Sequence, residues 1–278
     1  MKLVNELDNH FYPSASVHSQ QIEQYFSINQ ITSDSPKQDD FLKKIEITFI
    51  CFINRSGSNL FTELLSNYGY PTVKFGEPFN YEEVIETAKE SGINSFQEYL
   101  YEMIKENSIN NKLALKIAVN QLFWLSKNGF LSKFSRLNFI YFRRKNLLKQ
   151  AISFAVASQT SNWLSFEKVE ISNAQQKELL SKITNQDIIN CLRGITESYS
   201  LFDYFFSLHN IQPLIVYYED IIDQEEKVIE CCLHYLNMPY YPNSIEHKLI
   251  NSQYTDLNLK LEMRFIKDLE LFKEEEKL

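Results

Sequence analysis

The sequence predicts an α/β fold in three layers, with helices on both faces of a central, mostly parallel sheet. Two observations carry this expectation. Short apolar runs alternate with amphipathic stretches of helical period from Ile45 onward. The first run, residues 45–53 (IEITFICFI), is apolar at nearly every position, as a strand buried on both faces requires. It ends in the polar turn Asn54-Arg55-Ser56-Gly57-Ser58-Asn59, and amphipathic sequence follows at once. Strand, tight turn and helix in that order make the expected fold P-loop-like.

The elements follow in sequence. Residues 1–40 are polar and read as an N-terminal extension with one helical candidate (SQQIEQYFSI), so a single functional domain is expected over residues 41–278. After the first strand, residues 57–68 place Leu60, Phe61, Leu64 and Leu65 on one helical face. Helices are expected at 81–91 and 95–106, then a second strand at 112–119 and a third at 137–143. A helix over 147–158 and a long helical stretch over 174–209 lead to a fourth strand at 212–218. The final helices are expected at 224–236 and 252–278. Right-handed crossovers make the strands parallel, and ligands of such sheets bind at the carboxyl ends of the strands.

Composition narrows the function. The chain of 278 residues is 44% hydrophobic and carries a net charge of −8, which argues against general nucleic-acid binding. Residues 107–166 nevertheless contain no Asp or Glu and hold nine basic residues, from Lys112 to Lys149. An acidic chain with one basic segment suggests a confined pocket for a small polyanion. Lys127 and Lys133 read instead as solvated lysines. The four cysteines have no CxxC spacing and read as free thiols of a reducing compartment. The five histidines lack a ligand spacing, so no metal site is expected. No apolar run is long enough to span a membrane and no signal-peptide core is visible, so a cytoplasmic location is expected.

Two motifs carry chemistry. In the turn 54–59, backbone N–H groups at a helix start form an anion nest reinforced by the helix dipole. Gly57 permits close approach, Ser56 and Ser58 add hydroxyls, and Arg55 supplies a permanent planar charge. No lysine follows Gly57, so the loop does not have the Walker A pattern, which argues against an ATPase or GTPase and disfavours a small-molecule kinase. The second motif ends the third strand: Arg143-Arg144-Lys145, with Gln150 and Ser153 on the next helix. Arg144 and Ser153 are the candidate ligands for a second phosphate, while Arg143 is equally suited to a surface ion pair. Two anion sites at two strand ends fit a nucleotide with phosphates at both ends.

Together these residues resemble the sulfotransferases that use 3′-phosphoadenosine 5′-phosphosulfate (PAPS). The likeness is strongest to the bacterial trehalose 2-sulfotransferase family, also described as NodH-like or lipopolysaccharide sulfotransferases. Its 5′-phosphosulfate turn corresponds to residues 54–60, its Gly-Glu-Pro segment to Gly76-Glu77-Pro78, and its Lys and Asn-Gln positions to Lys116 and Asn120-Gln121. Its 3′-phosphate motif corresponds to residues 144–154, followed by Gln159-Thr160 and Trp163. Tyr217-Tyr218-Glu219-Asp220 looks like a "YEDL" sequence found in many sulfotransferases, although a plain strand-to-helix joint capped by Asp220 explains it as well.

The resemblance implies a sulfotransferase fold and transfer of a sulfuryl group from PAPS to a hydroxyl of a carbohydrate, glycolipid or other small acceptor. It implies Arg55, Ser56, Gly57, Ser58, Asn59, Arg144 and Ser153 as donor ligands. Glu77, Arg55 and Lys116 become the catalytic candidates. Asn80, Asn120, Gln121 and Trp163 fall on the acceptor side. No metal is required, and a homodimer is the implied assembly. One position departs from the pattern: Asn80 stands where the family places a glutamate as general base. An amide cannot accept a proton, so the base is Glu77, Glu82 or Glu83, or the acceptor differs, or the chain is a non-catalytic nucleotide-binding or partner-binding relative.

Overall fold

The computed structural model describes residues 16–27, 31, 35–73, 76–160, 172–240 and 255–275. Four parallel strands, β1 (Glu46–Cys51), β2 (Lys112–Ile117), β3 (Arg136–Arg143) and β4 (Leu214–Tyr217), form one sheet in the order β2-β1-β3-β4. The chain moves from β1 to β2 on one side, then returns to place β3 on the other. The carboxyl end of β1 therefore lies at the switch point where open α/β sheets leave a crevice. Register pairs Cys51 with both Ile117 and Tyr141, so β1 and its two neighbours end at nearly one level.

Alternation along the strands separates two cores. Ile47, Phe49, Leu113, Leu115, Phe139 and Tyr141 face the larger one. It is covered by α1 (Val17–Phe26), α4 (Tyr81–Ser91), α5 (Phe96–Asn107), α6 (Val119–Lys127), α7 (Leu147–Thr160), α9 (Asn185–Leu208) and α11 (Asp256–Glu275). Ile50, Ala114, Ile140 and Phe142 face the smaller one, covered by α3 (Ser58–Asn67) and α10 (Tyr218–Tyr235). Two short helices, α2 (Pro36–Leu42) and a 3₁₀ turn at Phe130–Lys133, and the amphipathic α8 (Asn173–Lys182) complete the described elements. The architecture is the expected three-layer α/β arrangement with a fully parallel sheet.

Several boundaries differ from the expectation for identifiable reasons. The helical stretch over 174–209 is two helices, because Ile183 is extended and Thr184 starts a new one, exchanging hydrogen bonds with Asp187. The second strand stops at Ile117, and α6 starts two residues on, where the Gln121 side chain accepts the Ala118 N–H at 2.9 Å. α10 begins directly at Tyr218, and a non-helical Gln224 (φ −148°, ψ 54°) kinks it where its start was expected. The helical candidate in the N-terminal extension is α1, capped by Ser16, and it buries Ile22 and Phe26 in the larger core. Lys133, read as solvated, pairs with Asp39 at 2.9 Å.

Candidate functional site

The turn after β1 owes its shape to two left-handed residues, Arg55 (φ +64°) and Gly57 (φ +95°), on either side of Ser56. This alternation points successive N–H groups the same way, which is how a backbone nest is built. The Ser56 N–H closes the turn on the Ile53 carbonyl at 3.1 Å, and the first helical bond of α3 runs from the Phe61 N–H to the Gly57 carbonyl. The N–H groups of the first turn of α3 are thus positioned for an anion. Gly57 is required twice over. Besides its positive φ, an added Cβ would lie 2.4 Å from Cδ2 of Tyr218. Ser56 is fully enclosed, and its Oγ has no hydrogen-bond partner among the described residues.

The second motif closes on the first across the switch point. The Arg55 Nε donates to Ser153 Oγ at 3.0 Å, which joins the loop after β1 to the helix after β3. Arg144 directs Nη1 at the Arg55 carbonyl (3.4 Å), and the Gln150 amide donates to the Asn54 carbonyl (2.9 Å). Burial, then the nearby Arg144 charge, lower the Arg55 pKa. Two guanidinium groups are therefore held together against their mutual repulsion. Beneath them, the Tyr199 hydroxyl accepts the Arg144 N–H (3.1 Å) and donates to Gln150 (3.2 Å). Arg143 turns away, stacked at 4.6 Å over Tyr199 and 3.9 Å from Asp203, which is the ion-pair alternative for this residue.

Glu219, from the first turn of α10, accepts Arg144 Nε at 2.9 Å and the Lys145 N–H at 2.9 Å. Burial raises its pKa, but the Lys145 N–H and the Arg144 guanidinium outweigh this and hold the carboxyl below the ordinary range. Tyr218 lays its ring 4.3 Å from the Arg144 guanidinium carbon. Both residues fall in the tetrapeptide Tyr217-Tyr218-Glu219-Asp220, which the sequence alone explains equally well as a strand-to-helix joint. The signal for them was its likeness to "YEDL".

On the opposite side of the loop lies a different group. Lys116, at the end of β2 and buried, donates to Asn59 Oδ1 at 2.6 Å and to Glu77 Oε1 at 3.2 Å. Burial lowers its pKa, with Glu77 opposing. The other oxygen of Glu77 accepts the Asn80 amide at 2.9 Å, and Asn80 in turn accepts the Gln121 amide at 3.1 Å. Asn80 therefore orients Glu77. Asn120 stands half-buried beside Gln121 on the first turn of α6, and Trp163 lies outside the described residues. Glu82 and Glu83 occupy the first turn of α4, where both are exposed. Among the described residues no group of acidic, His and Cys side chains is arranged to hold a metal ion, and no helix is long and apolar enough to cross a membrane.

Comparison with known proteins bears on this arrangement. Residues 126–244, under half of the chain, match the family model described as Stf0 sulphotransferase, so this segment is similar to sulfotransferases. The match includes Arg144, Ser153, Tyr218 and Glu219. A mouse sulfotransferase complexed with PAP aligns over 88% of this chain and 73% of its own, at 13% identity and a TM-score of 0.38. A sulfotransferase from Alicyclobacillus acidocaldarius aligns over 80% of this chain and 91% of its own, at 14% identity and a TM-score of 0.43. The sulfotransferase domain from the curacin biosynthetic pathway aligns over 80% and 98%, at 16% identity and a TM-score of 0.39. No curated protein matches the chain.

Proposed function

We propose that this chain is a PAPS-dependent sulfotransferase, related to the NodH-like enzymes, that acts on a hydroxyl of a carbohydrate, glycolipid or other small acceptor. The observation that carries the reading is the convergence of Arg55 and Arg144 on one loop at the switch point. Arg144, whose Nη1 lies 3.4 Å from the backbone carbonyl of Arg55, and the partly buried Arg55 guanidinium stand together beside a helix start, an arrangement suited to a polyanion. The family match over residues 126–244 makes a phosphosulfate nucleotide the favoured one.

The residues present fit that group. The buried Ser56 hydroxyl, within the turn itself, has no hydrogen-bond partner among the described residues. Bound PAPS supplies an activated sulfuryl group on a 5′-phosphate leaving group. Arg55, the Ser56 hydroxyl and the backbone N–H groups of Gly57 to Asn59 would hold that phosphate and stabilise the charge that grows on its bridging oxygen. Arg144 and Ser153 hold the 3′-phosphate. Glu77 accepts the proton of the acceptor hydroxyl as its oxygen forms the new S–O bond and the bond to the 5′-phosphate breaks. Lys116 balances the Glu77 charge and stands beside the loop at Asn59. Asn120, Gln121 and Asn80 form the acceptor side; Trp163, assigned to it by the resemblance, lies outside the described residues.

The non-catalytic alternative rests on Asn80, which cannot be a base. The contact of Asn80 with Glu77 favours turnover, because it gives the amide a role beside a carboxylate that can accept a proton. The deciding experiment is thermal unfolding with adenosine 3′,5′-bisphosphate, AMP, and ATP with magnesium. Stabilisation by the bisphosphate above the others supports the reading, and a preference for ATP with magnesium overturns it. Transfer of labelled sulfate from PAPS to a panel of hydroxyl acceptors then separates an enzyme from a binding module.

A further inference from the structure

The joint between β4 and α10 does more than connect a strand to a helix. Tyr218 fills the space that any Cβ at position 57 would occupy, and the same ring faces the guanidinium of Arg144. One aromatic side chain therefore touches both halves of the anion site. The neighbouring Glu219 completes the hold. Its Oε1 accepts Arg144 Nε, and its Oε2 accepts the Lys145 N–H. The carboxylate thus takes the Nε side of the guanidinium and an amide just ahead of α7, and it leaves the Nη side of Arg144 pointing to the loop. Asp220 neutralises Lys145 by direct pairing. The net result is one arginine fixed in direction, with its neighbouring lysine already satisfied.

We infer that Tyr218 and Glu219 are positioning residues that set recognition of the nucleotide 3′-phosphate by aiming Arg144. The inference rests on the sulfotransferase reading above. It deepens that reading by assigning a role to a tetrapeptide that otherwise only joins two elements. An arginine with a long flexible stem loses rotamer freedom on binding, and a pre-formed carboxylate tie removes that cost beforehand. A ring stacked on the guanidinium fixes its plane. A carboxylate close to an anion site also repels the ligand. The sign of its effect on affinity therefore separates positioning from simple competition.

The test is calorimetric titration of the full chain with adenosine 3′,5′-bisphosphate and with AMP. Wild type is compared with Glu219→Gln, Tyr218→Leu and Tyr218→Phe. Glu219→Gln and Tyr218→Leu are each expected to raise the bisphosphate Kd roughly tenfold. Tyr218→Phe, which keeps the ring, is expected to change it by less than about twofold. Glu219→Gln is expected to leave the AMP Kd unchanged, because AMP offers no 3′-phosphate to Arg144. Unchanged or tighter bisphosphate binding in Glu219→Gln overturns the inference, as does an equal loss for bisphosphate and AMP. A loss in Tyr218→Phe as large as in Tyr218→Leu overturns the role of the ring.

Should Tyr218→Leu fail to fold, a double-mutant cycle of Glu219→Gln with Arg144→Lys carries the test. Non-additive losses support the tie, and additive ones overturn it. If wild type binds the bisphosphate while the variants match it, only the positioning role falls. If wild type does not bind the bisphosphate at all, the sulfotransferase reading falls and the inference with it.

Discussion

The two sides of the candidate site are built by different means. On the arginine side, elements from all over the chain are tied to one another: Arg55 to Ser153, Gln150 to Asn54, Arg144 to Glu219, and Tyr218 against Gly57. Positive charge exceeds negative there, and several contacts support each group. On the Glu77 side a single carboxylate is held by one lysine and a short file of amides, Asn80 and Gln121. The difference suits two tasks. A nucleotide must be gripped over its whole length, which rewards many shared contacts. A proton acceptor must only be aimed, and neutral amides aim it without adding charge.

The comparison can be broken most directly at Glu77. Glu77→Gln keeps the size and one hydrogen-bond acceptor but cannot take a proton, so kcat for sulfuryl transfer is expected to fall about a hundredfold or more. Donor Kd should stay unchanged. Wild-type turnover in this variant would remove Glu77 as the base. On the other side, Arg55→Ala should weaken adenosine 3′,5′-bisphosphate binding by roughly thirtyfold through loss of a charge-assisted contact, as read by titration. A change in kcat without a change in affinity would reverse the proposed division of labour.

Gly57→Ala tests the packing beneath the grip. A residue forced to positive φ and driven against the Tyr218 ring should lose about 2 kcal/mol of stability in denaturant unfolding. A near-neutral result would mean that Tyr218 moves aside readily. Asn80→Ala should sharpen the contrast with a smaller effect, a fall in kcat of about fivefold at constant donor affinity. The mildest effect concerns pH. Glu219 is held below the ordinary carboxylate range in the fold, so its contribution to stability is complete above that range. It is lost as pH falls through the folded value. Acid unfolding of Glu219→Gln should accordingly be less steep at the low-pH end than that of wild type.

Much of the frame was legible in the sequence because it follows from apolar pattern. The four strands, the helix after the anion loop and the helix after Arg144 all arise where period and turn chemistry agree. The polar groups of the loop were legible too, since Arg-Ser-Gly-Ser directly follows a buried strand and opens a helix. Other features depend on contacts between distant residues and leave little local trace. The bond from Arg55 to Ser153 spans 98 positions, and that of Arg144 with Glu219 spans 75. Nothing local to Glu219 shows that it meets an arginine. Asn80 illustrates the converse. Its chemistry ruled out a base from sequence alone, but its bond to Glu77 had to come from the fold. The break at Thr184 was readable, because Thr-x-x-Asp is a capping signal, here submerged in a long helical pattern.

The helix that precedes the sheet has a practical meaning for anyone handling this protein. The side chain of His18 accepts the N–H of Tyr81, next to Asn80, and Glu23 accepts the indole N–H of Trp124 on the helix that carries Gln121. Trimming the chain to the start of β1 would strip Ile22, Phe26, Ile31, Leu42 and Ile45 from the larger core and remove both the His18 and Glu23 contacts. A shortened version intended for crystals or assays should therefore begin ahead of Ser16. A loss of activity on cutting further in would report a missing buttress rather than a missing catalytic group.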